Sequence, residues 1–245
     1  MLDMDKRQEL QVVQLRGHPS PEELREWEAV LEAGVKAQSL IQDGVVVGGT
    51  AAALYAGHRV SFDTDHLLMH LRERFEDVLE MLSESAEWKT ARTKRPVLIL
   101  GSLNDVEVGF RQSIRTLPIE TLTMTTRYGP LVVPTLDEMI GMKAFLTYRR
   151  NATRDFLDFA ALSGCASEEE VVASLLKSDE RYGELQTASV ALEIAKNLAR
   201  PEPYDLSATD LSRYNALAPE WHDWSKTESI CQRYGKLLGQ RLVKG

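Results

Sequence analysis

The chain has 245 residues, a hydrophobic share of 43% and a formal net charge of −8. That length buries one sizeable domain or two modest ones, and that apolar share argues against disorder. The acidic balance argues against a protein that coats nucleic acid without specificity, because such affinity comes mainly from neutralising phosphates, so an RNA partner needs a local basic patch.

No apolar run approaches the roughly 20 residues that span a bilayer, and the polar, acidic opening does not read as a signal peptide. The expectation is a cytoplasmic protein with no membrane partner. Cys165 and Cys231 stand apart from each other and from any histidine cluster, which predicts two buried, reduced thiols.

In chain order, Leu24, Trp27, Val30, Leu31, Val35 and Leu40 recur at helical spacing after Ser20-Pro21 and predict an amphipathic helix over residues 21–42. Val45-Val46-Val47 is a short β-branched run. Gly48-Gly49-Thr50 ends it and an alanine-rich helix follows, closed by Gly57. From Val60 the period is two, with Val60, Phe62 and Thr64 on one side of a strand and Ser61, Asp63 and Asp65 on the other. Residues 71–87 read as helix. A hairpin is expected next, from Val97-Leu98-Ile99-Leu100 through a turn at Gly101-Ser102-Leu103-Asn104 into 105–110.

Leu131-Val132-Val133 is extended and Pro134 stops it. Thr135 with Glu138 makes a capping box for a helix reaching about Arg149. Helices are expected near 154–163, 168–177, 184–199, 207–216 and 226–242. The fold class is therefore α/β, in α+β form: a mixed sheet flanked by helices over residues 1–134, then a helical C-terminal half over 135–245.

Two carboxylates one residue apart on a strand point the same way. With a third from a neighbouring strand they can hold a pair of divalent ions roughly 3.5 to 4 Å apart, which stabilise the attacking and leaving oxygens of an in-line transfer. Asp63 and Asp65 have that spacing, although most Asp-x-Asp pairs are solvated acids. The upstream glycine turn lies at a helix start, where backbone N–H groups attract phosphate and glycine permits close approach; a plain strand-to-helix turn has the same sequence. No Gly-Lys-Ser/Thr follows, so it is not a Walker A loop.

Residues 47–54 (Val-Gly-Gly-Thr-Ala-Ala-Ala-Leu) and 57–65 (Gly-His-Arg-Val-Ser-Phe-Asp-Thr-Asp) together resemble the signature of the AbiEii/AbiGii nucleotidyltransferases, toxin components of bacterial toxin-antitoxin and phage-defence systems within the polymerase-β-like superfamily. The helix around Lys143, with Arg149, and the run Arg154-Asp155-Phe156-Leu157-Asp158 are similar to the family's lysine-bearing helix and its Arg-Asp-x-x-Asp motif. The resemblance covers about residues 44–165 in the right order.

It implies that Gly48, Gly49 and Thr50 receive the triphosphate of an NTP, and that Asp63 and Asp65 ligate Mg2+ or Mn2+. Lys143 would neutralise phosphate charge, and Asp158 or Asp155 would help activate or position the acceptor; ion pairs among Arg154, Asp155 and Asp158 are equally at home in a purely structural role. The third carboxylate is expected at Glu107, with Asp105 on the same face as the alternative. The family often carries aspartate there, and often an aromatic residue where this chain has His66. The acceptor stays open between tRNA, a protein hydroxyl and a small molecule, and an antitoxin protein would be the partner. A catalytically silent nucleotide-binding module with the same fold is the competing expectation.

Other features read more plainly. Lys89, Arg92, Lys94 and Arg95 suit a solvated face, whereas Lys143, Arg149, Arg150 and Arg154 form a second basic cluster among the motif residues. His66 and His70 would share a helical face as zinc ligands do, but with no third ligand nearby they read as packed or surface histidines. Trp221, His222 and Trp224 suit packing between terminal helices better than stacking on a base.

Overall fold

The computed structural model describes residues 9–11, 14–183 and 188–244. Five strands form a sheet in the order β2-β3-β6-β5-β4: β2 (Val45–Val47), β3 (Asp63–Leu68), β4 (Trp88–Lys94), β5 (Leu98–Leu103) and β6 (Val106–Gln112). The two central strands, β3 and β6, run parallel, and the remaining pairs are antiparallel. A smaller sheet, ordered β1-β7-β8, joins β1 (Glu9–Gln11), β7 (Thr121–Thr126) and β8 (Gly129–Pro134).

Alternation decides which face of the large sheet is covered. Thr64, His66 and Leu68 of β3 and Val108 and Phe110 of β6 are buried. Two helices lie over this face, α1 (Pro21–Leu40) and α3 (Phe75–Ser83), packing Ala37, Phe75, Val78 and Leu82 against Leu68, Ile99 and Phe110. Each of these side chains larger than alanine contributes about 1.5–3 kcal/mol. Helix α1 starts with a reciprocal capping box between Ser20 and Glu23.

Asp63, Asp65, Glu107, Gly109 and Arg111 lie on the opposite face, which looks toward the C-terminal helices: α4 (Leu136–Arg150), α5 (Thr153–Ser163), α6 (Glu168–Leu176), the short α7 (Ser178–Tyr182), α8 (Val190–Ala199) and α9 (Trp224–Lys244). Helix α2 (Gly48–Ala56) is buried between sheet and helices. Its Ala51, Ala52 and Leu54 belong to one apolar cluster that also holds Val133, Phe145, Phe156, Ile194 and Leu238. Both halves of the chain thus share one core.

Several sequence expectations need correction. Residues 69–74 are turns, so α3 begins only at Phe75. The hairpin turn is Asn104-Asp105, both in the left-handed region (φ 49° and 66°), the twist that suits a two-residue hairpin. Gly101 lies inside β5 instead, where a Cβ would sit 2.4 Å from the Trp88 ring. Strand β3 begins at Asp63 and leaves Val60 and Phe62 in the preceding loop.

Strands β1, β4 and β7 come in addition to the strands expected from the sequence. The expected helix at 207–216 reduces to two single 3-10 turns, Leu206–Ala208 and Leu211–Arg213, followed by positive φ at Asn215 and Ala216. Asp210 accepts from the Ser212 N–H two residues on, the local competition that disfavours helix, and Asp205 is engaged by the distant Thr153 N–H. Helix α8 starts at Val190; residues 184–187 of the expected 184–199 helix lie outside the described residues. The capping box of α4 is half made: Thr135 accepts from the Glu138 N–H, but the Glu138 carboxylate turns inward to a bidentate pair with Arg115 at 2.8 and 2.9 Å.

Candidate active site

Strand β2 runs directly into α2. Gly48 takes φ +73°, a left-handed conformation that favours glycine, and the first turn of α2 has no side-chain cap. A Cβ on Gly48 would lie 3.8 Å from Asp65, and one on Gly49 would lie 2.6 Å from Arg59 Nη2. The helix start, Asp65 and Arg59 are therefore in close approach, and only a bare backbone fits at Gly49.

Thr50 faces the other way. It is buried, and its hydroxyl donates to the Asp63 carbonyl oxygen at 2.6 Å. The expectation of a phosphate contact at Thr50 is corrected to a tie between α2 and the start of β3.

Asp63 and Asp65 share a face of β3, and Glu107 on β6 stands opposite Asp63 in register. Together they border a recess of about 290 Å³ also lined by Gly48, Gly49, Arg59, Lys143 and Arg154. A second recess of about 580 Å³ shares the three carboxylates and adds an apolar wall of Leu67, Ile119, Met139, Met142 and Phe145. Asp105 is excluded: it sits in the hairpin turn, exposed, with its carboxylate on Lys89 at 3.1 Å.

Both aspartates already have partners. Ser61 Oγ donates to Asp63 Oδ1 at 2.9 Å, and Arg111 Nε donates to Asp65 Oδ1 at 3.0 Å. No three acidic, histidine or cysteine side chains among the described residues converge closely enough to enclose a metal by themselves. Two adjacent carboxylates with a third beside them nonetheless suit magnesium, a hard cation usually held by one or two carboxylates together with substrate phosphates.

Behind the recess is a buried ion network. Asp158 of α5 accepts from Arg59 Nε at 2.8 Å and Nη2 at 2.9 Å and from His58 Nε2 at 2.8 Å, and Lys143 Nζ of α4 lies 2.7 Å away. Asp155, one helical turn earlier, takes Arg150 at 2.9 Å and Lys143 at 3.4 Å. Burial would raise the Asp158 pKa, but Arg59 and Lys143 outweigh it and hold the carboxyl well below its usual range. Burial likewise pushes the His58 imidazole down, against the pull of Asp158, so it is neutral at pH 7.

Asp158 is fully buried and lines neither recess. The expectation that it touches the acceptor is therefore corrected: it fixes Arg59 and Lys143. Asp155 is buried in the same way, while Arg154 is exposed and turned to the recess rather than to these acids.

Of the second basic cluster, Lys143, Arg150 and Arg154 reach the recess and Arg149 does not. The first cluster follows edge strand β4 at the far side of the sheet, with Lys89 on Asp105 and Arg95 on Glu76. His66 is on a strand rather than a helix, stacks on Phe110 at 5.0 Å and is pushed down to about 4 by burial. Trp221 packs with Leu157 and Leu217, and Trp224 meets Phe156 edge-on at 6.1 Å. Cys231 is buried, whereas Cys165 is only half-buried.

Sequence reasoning gave no role to His58, Arg59 or Arg111. The alternation Glu107, Gly109, Arg111 along β6 carried a signal for Arg111. Tyr214 and Asn215, which close the rim, had none. They arrive through tertiary contacts: the Asn215 carbonyl accepts from the Val60 N–H and the His58 carbonyl from the Ala218 N–H.

The mixed sheet, the glycine-started helix beside an Asp-x-Asp strand and the helical half define a nucleotidyltransferase fold. The chain is similar to a crystal structure assigned as a nucleotidyltransferase from H. pylori, with 17% identity, TM-score 0.54, and 92% of this chain and 98% of that one covered. It is also similar to MenT4, a nucleotidyltransferase toxin from Mycobacterium tuberculosis H37Rv, with 18% identity, TM-score 0.54, and 91% and 90% covered. No family model matches the chain.

Among curated proteins, a stretch of 117 residues is 29% identical to the mycolic acid-containing lipids exporter MmpL11 of Mycolicibacterium smegmatis. One of 96 residues is 32% identical to the heme uptake protein MmpL11 of Mycobacterium tuberculosis. These stretches cover 46% and 38% of this chain, and the chain spans only 12% and 10% of those relatives' length. No helix among the described residues is long and apolar enough to cross a membrane.

Proposed function

We propose that the protein is a nucleotidyltransferase that moves a nucleoside monophosphate from an NTP to an acceptor hydroxyl and releases pyrophosphate. The observation that carries this reading is the pairing of Asp63 and Asp65 on one face of β3, with Glu107 opposite and the glycine start of α2 so placed that a Cβ on Gly48 would meet Asp65 at 3.8 Å. Mg2+ or Mn2+, when held by Asp63 and Asp65 with Glu107 beside them, supplies charge neutralisation at the transferred phosphoryl group.

The chain's own groups do the rest by positioning. Gly48 and Gly49 offer backbone N–H groups at a helix start to the polyphosphate. Arg154 and the exposed part of Arg150 add positive charge at the same recess. Lys143 borders the recess with a buried side chain, its ammonium held by Asp158 at 2.7 Å and Asp155 at 3.4 Å, so it supplies positive charge from behind the wall. Asp158 holds the Arg59 fork bidentately, the geometry that arginine favours.

The acceptor belongs to one of three classes, tRNA, a protein hydroxyl or a small molecule. Exposed Arg154 and the half-exposed Arg150 beside the recess support an RNA. By likeness to MenT4 and to the AbiEii signature, the protein acts in the cytoplasm as the toxin of a toxin-antitoxin pair and meets a cognate antitoxin protein. A second reading, a nucleotide-binding module without transfer, is favoured by the Arg111 and Ser61 contacts that already occupy the two aspartates.

Incubation with magnesium, each labelled NTP and an acceptor pool of total RNA, cell protein and the small-molecule fraction distinguishes them. Transfer in wild type that falls at least a hundredfold in Asp65→Ala, with an unchanged melting temperature, supports the enzyme. Intact NTP binding without transfer of any nucleotide, to RNA, protein or small molecule, supports the module.

A further inference from the structure

Arg111 stands two residues beyond Gly109 on β6, and Gly109 is the register partner of Asp65. A Cβ at position 109 would come within 2.3 Å of Asp65 Oδ1. The missing side chain lets the Asp65 carboxylate lean across β6 and reach the Arg111 Nε at 3.0 Å. The guanidinium is 44% exposed, borders the larger recess, and has no other hydrogen-bond partner among the described residues.

We propose that Arg111 is a resident counter-cation for Asp65 that makes divalent-metal binding conditional on nucleotide. This rests on the reading of Asp63 and Asp65 as metal ligands. A cation arriving alone has to displace the guanidinium from Asp65 and leave it facing the recess without an anion. A cation arriving with an NTP supplies that anion, because the guanidinium can pass from the carboxylate to a phosphate of the bound nucleotide, an acceptor that fits its planar fork equally well. Metal and nucleotide thus bind cooperatively, and by linkage each raises the other's affinity by the same factor.

The same device neutralises one of the two carboxylates that share this face of β3 in the free protein. Asp63 accepts a hydrogen bond from the uncharged Ser61 hydroxyl, and the Arg59 guanidinium acts on it through charge without a hydrogen bond among the described residues. Arg111 is therefore the group on the sheet face whose removal unmasks the site. Because it is half-exposed, its replacement leaves the core intact.

The test is Mn2+ binding followed by electron paramagnetic resonance, with and without a non-hydrolysable NTP analogue, on wild type, Arg111→Met and Arg111→Lys. Wild type and Arg111→Lys should bind Mn2+ weakly alone and at least tenfold more tightly with the analogue. Arg111→Met should bind Mn2+ alone at least tenfold more tightly than wild type, with the nucleotide effect correspondingly reduced. Equal affinities for wild type and Arg111→Met overturn the role of Arg111 and leave the metal site standing. Tight metal-alone binding by Arg111→Lys overturns it too, since a retained cation should compete. Failure of all three proteins to bind Mn2+ even with the analogue overturns the metal-site reading together with this one.

Discussion

Asp158 accepts hydrogen bonds from His58 and both sides of the Arg59 fork, with the Lys143 ammonium 2.7 Å away and no exposure to water. Removing its charge strands the buried Arg59 and leaves Lys143 with Asp155 alone, an outcome that costs about 3–5 kcal/mol for pairs of this kind. Asp158→Asn keeps the shape of the side chain, so urea unfolding should show a loss of that order, together with weakened NTP binding as Arg59 and Lys143 lose their anchor. A stability change below about 1 kcal/mol would contradict a structural role for the network. The motif spacing of Asp155 and Asp158 was legible in the sequence. Their direction was not, since i and i+3 positions share a helix face whether that face looks into a cleft or into a core.

At the scale of elements, the joint between α2 and β3 sets the distance from the glycine cradle to the carboxylates. One hydrogen bond spans it, from the Thr50 hydroxyl to the Asp63 carbonyl at 2.6 Å. Thr50→Val leaves that part-buried carbonyl without the hydroxyl and should destabilise the protein by about 1 kcal/mol, whereas Thr50→Ser should restore it. A threonine that touched phosphate would behave differently: Thr50→Val would lower NTP affinity by calorimetry and leave the unfolding midpoint in place. The strand-turn-helix order around Gly48 was readable because β-branched residues, paired glycines and an alanine run are strong local signals. Edge strand β4 was not. Its exposed face carries Lys89, Arg92 and Lys94, and charge on an edge strand blunts pairing with other chains while hiding the period-two pattern.

For the whole molecule, the buried histidines couple stability to pH. The folded protein holds His66 at about 4, whereas an unfolded imidazole titrates near 6.5. The unfolded state therefore takes up the proton first. Stability is intact above about pH 6.5 and drains away as pH falls toward 4. His58 shifts in the same direction. Denaturant midpoints should fall between pH 7.5 and 5, and His66→Leu should lose on the order of 2 kcal/mol less over that interval. Equal pH slopes for the two proteins would remove His66 as a cause.

The sequence by itself determined what periodicity and backbone chemistry can encode. It gave the two aspartates a common face, gave α2 its glycine start, and ordered a mixed sheet before a run of helices. Only the tertiary structure decided which neighbours those groups meet. Glu107 faces Asp63 because β3 and β6 pair in one register, and Asp105 falls away because the hairpin turns at Asn104-Asp105. Arg111 reaches Asp65 across Gly109, and Tyr214 and Asn215 arrive at the rim from about 150 residues further along the chain. Local patterns report the direction of a side chain from its own backbone. Contacts between distant segments depend on register and packing, which no window of sequence contains.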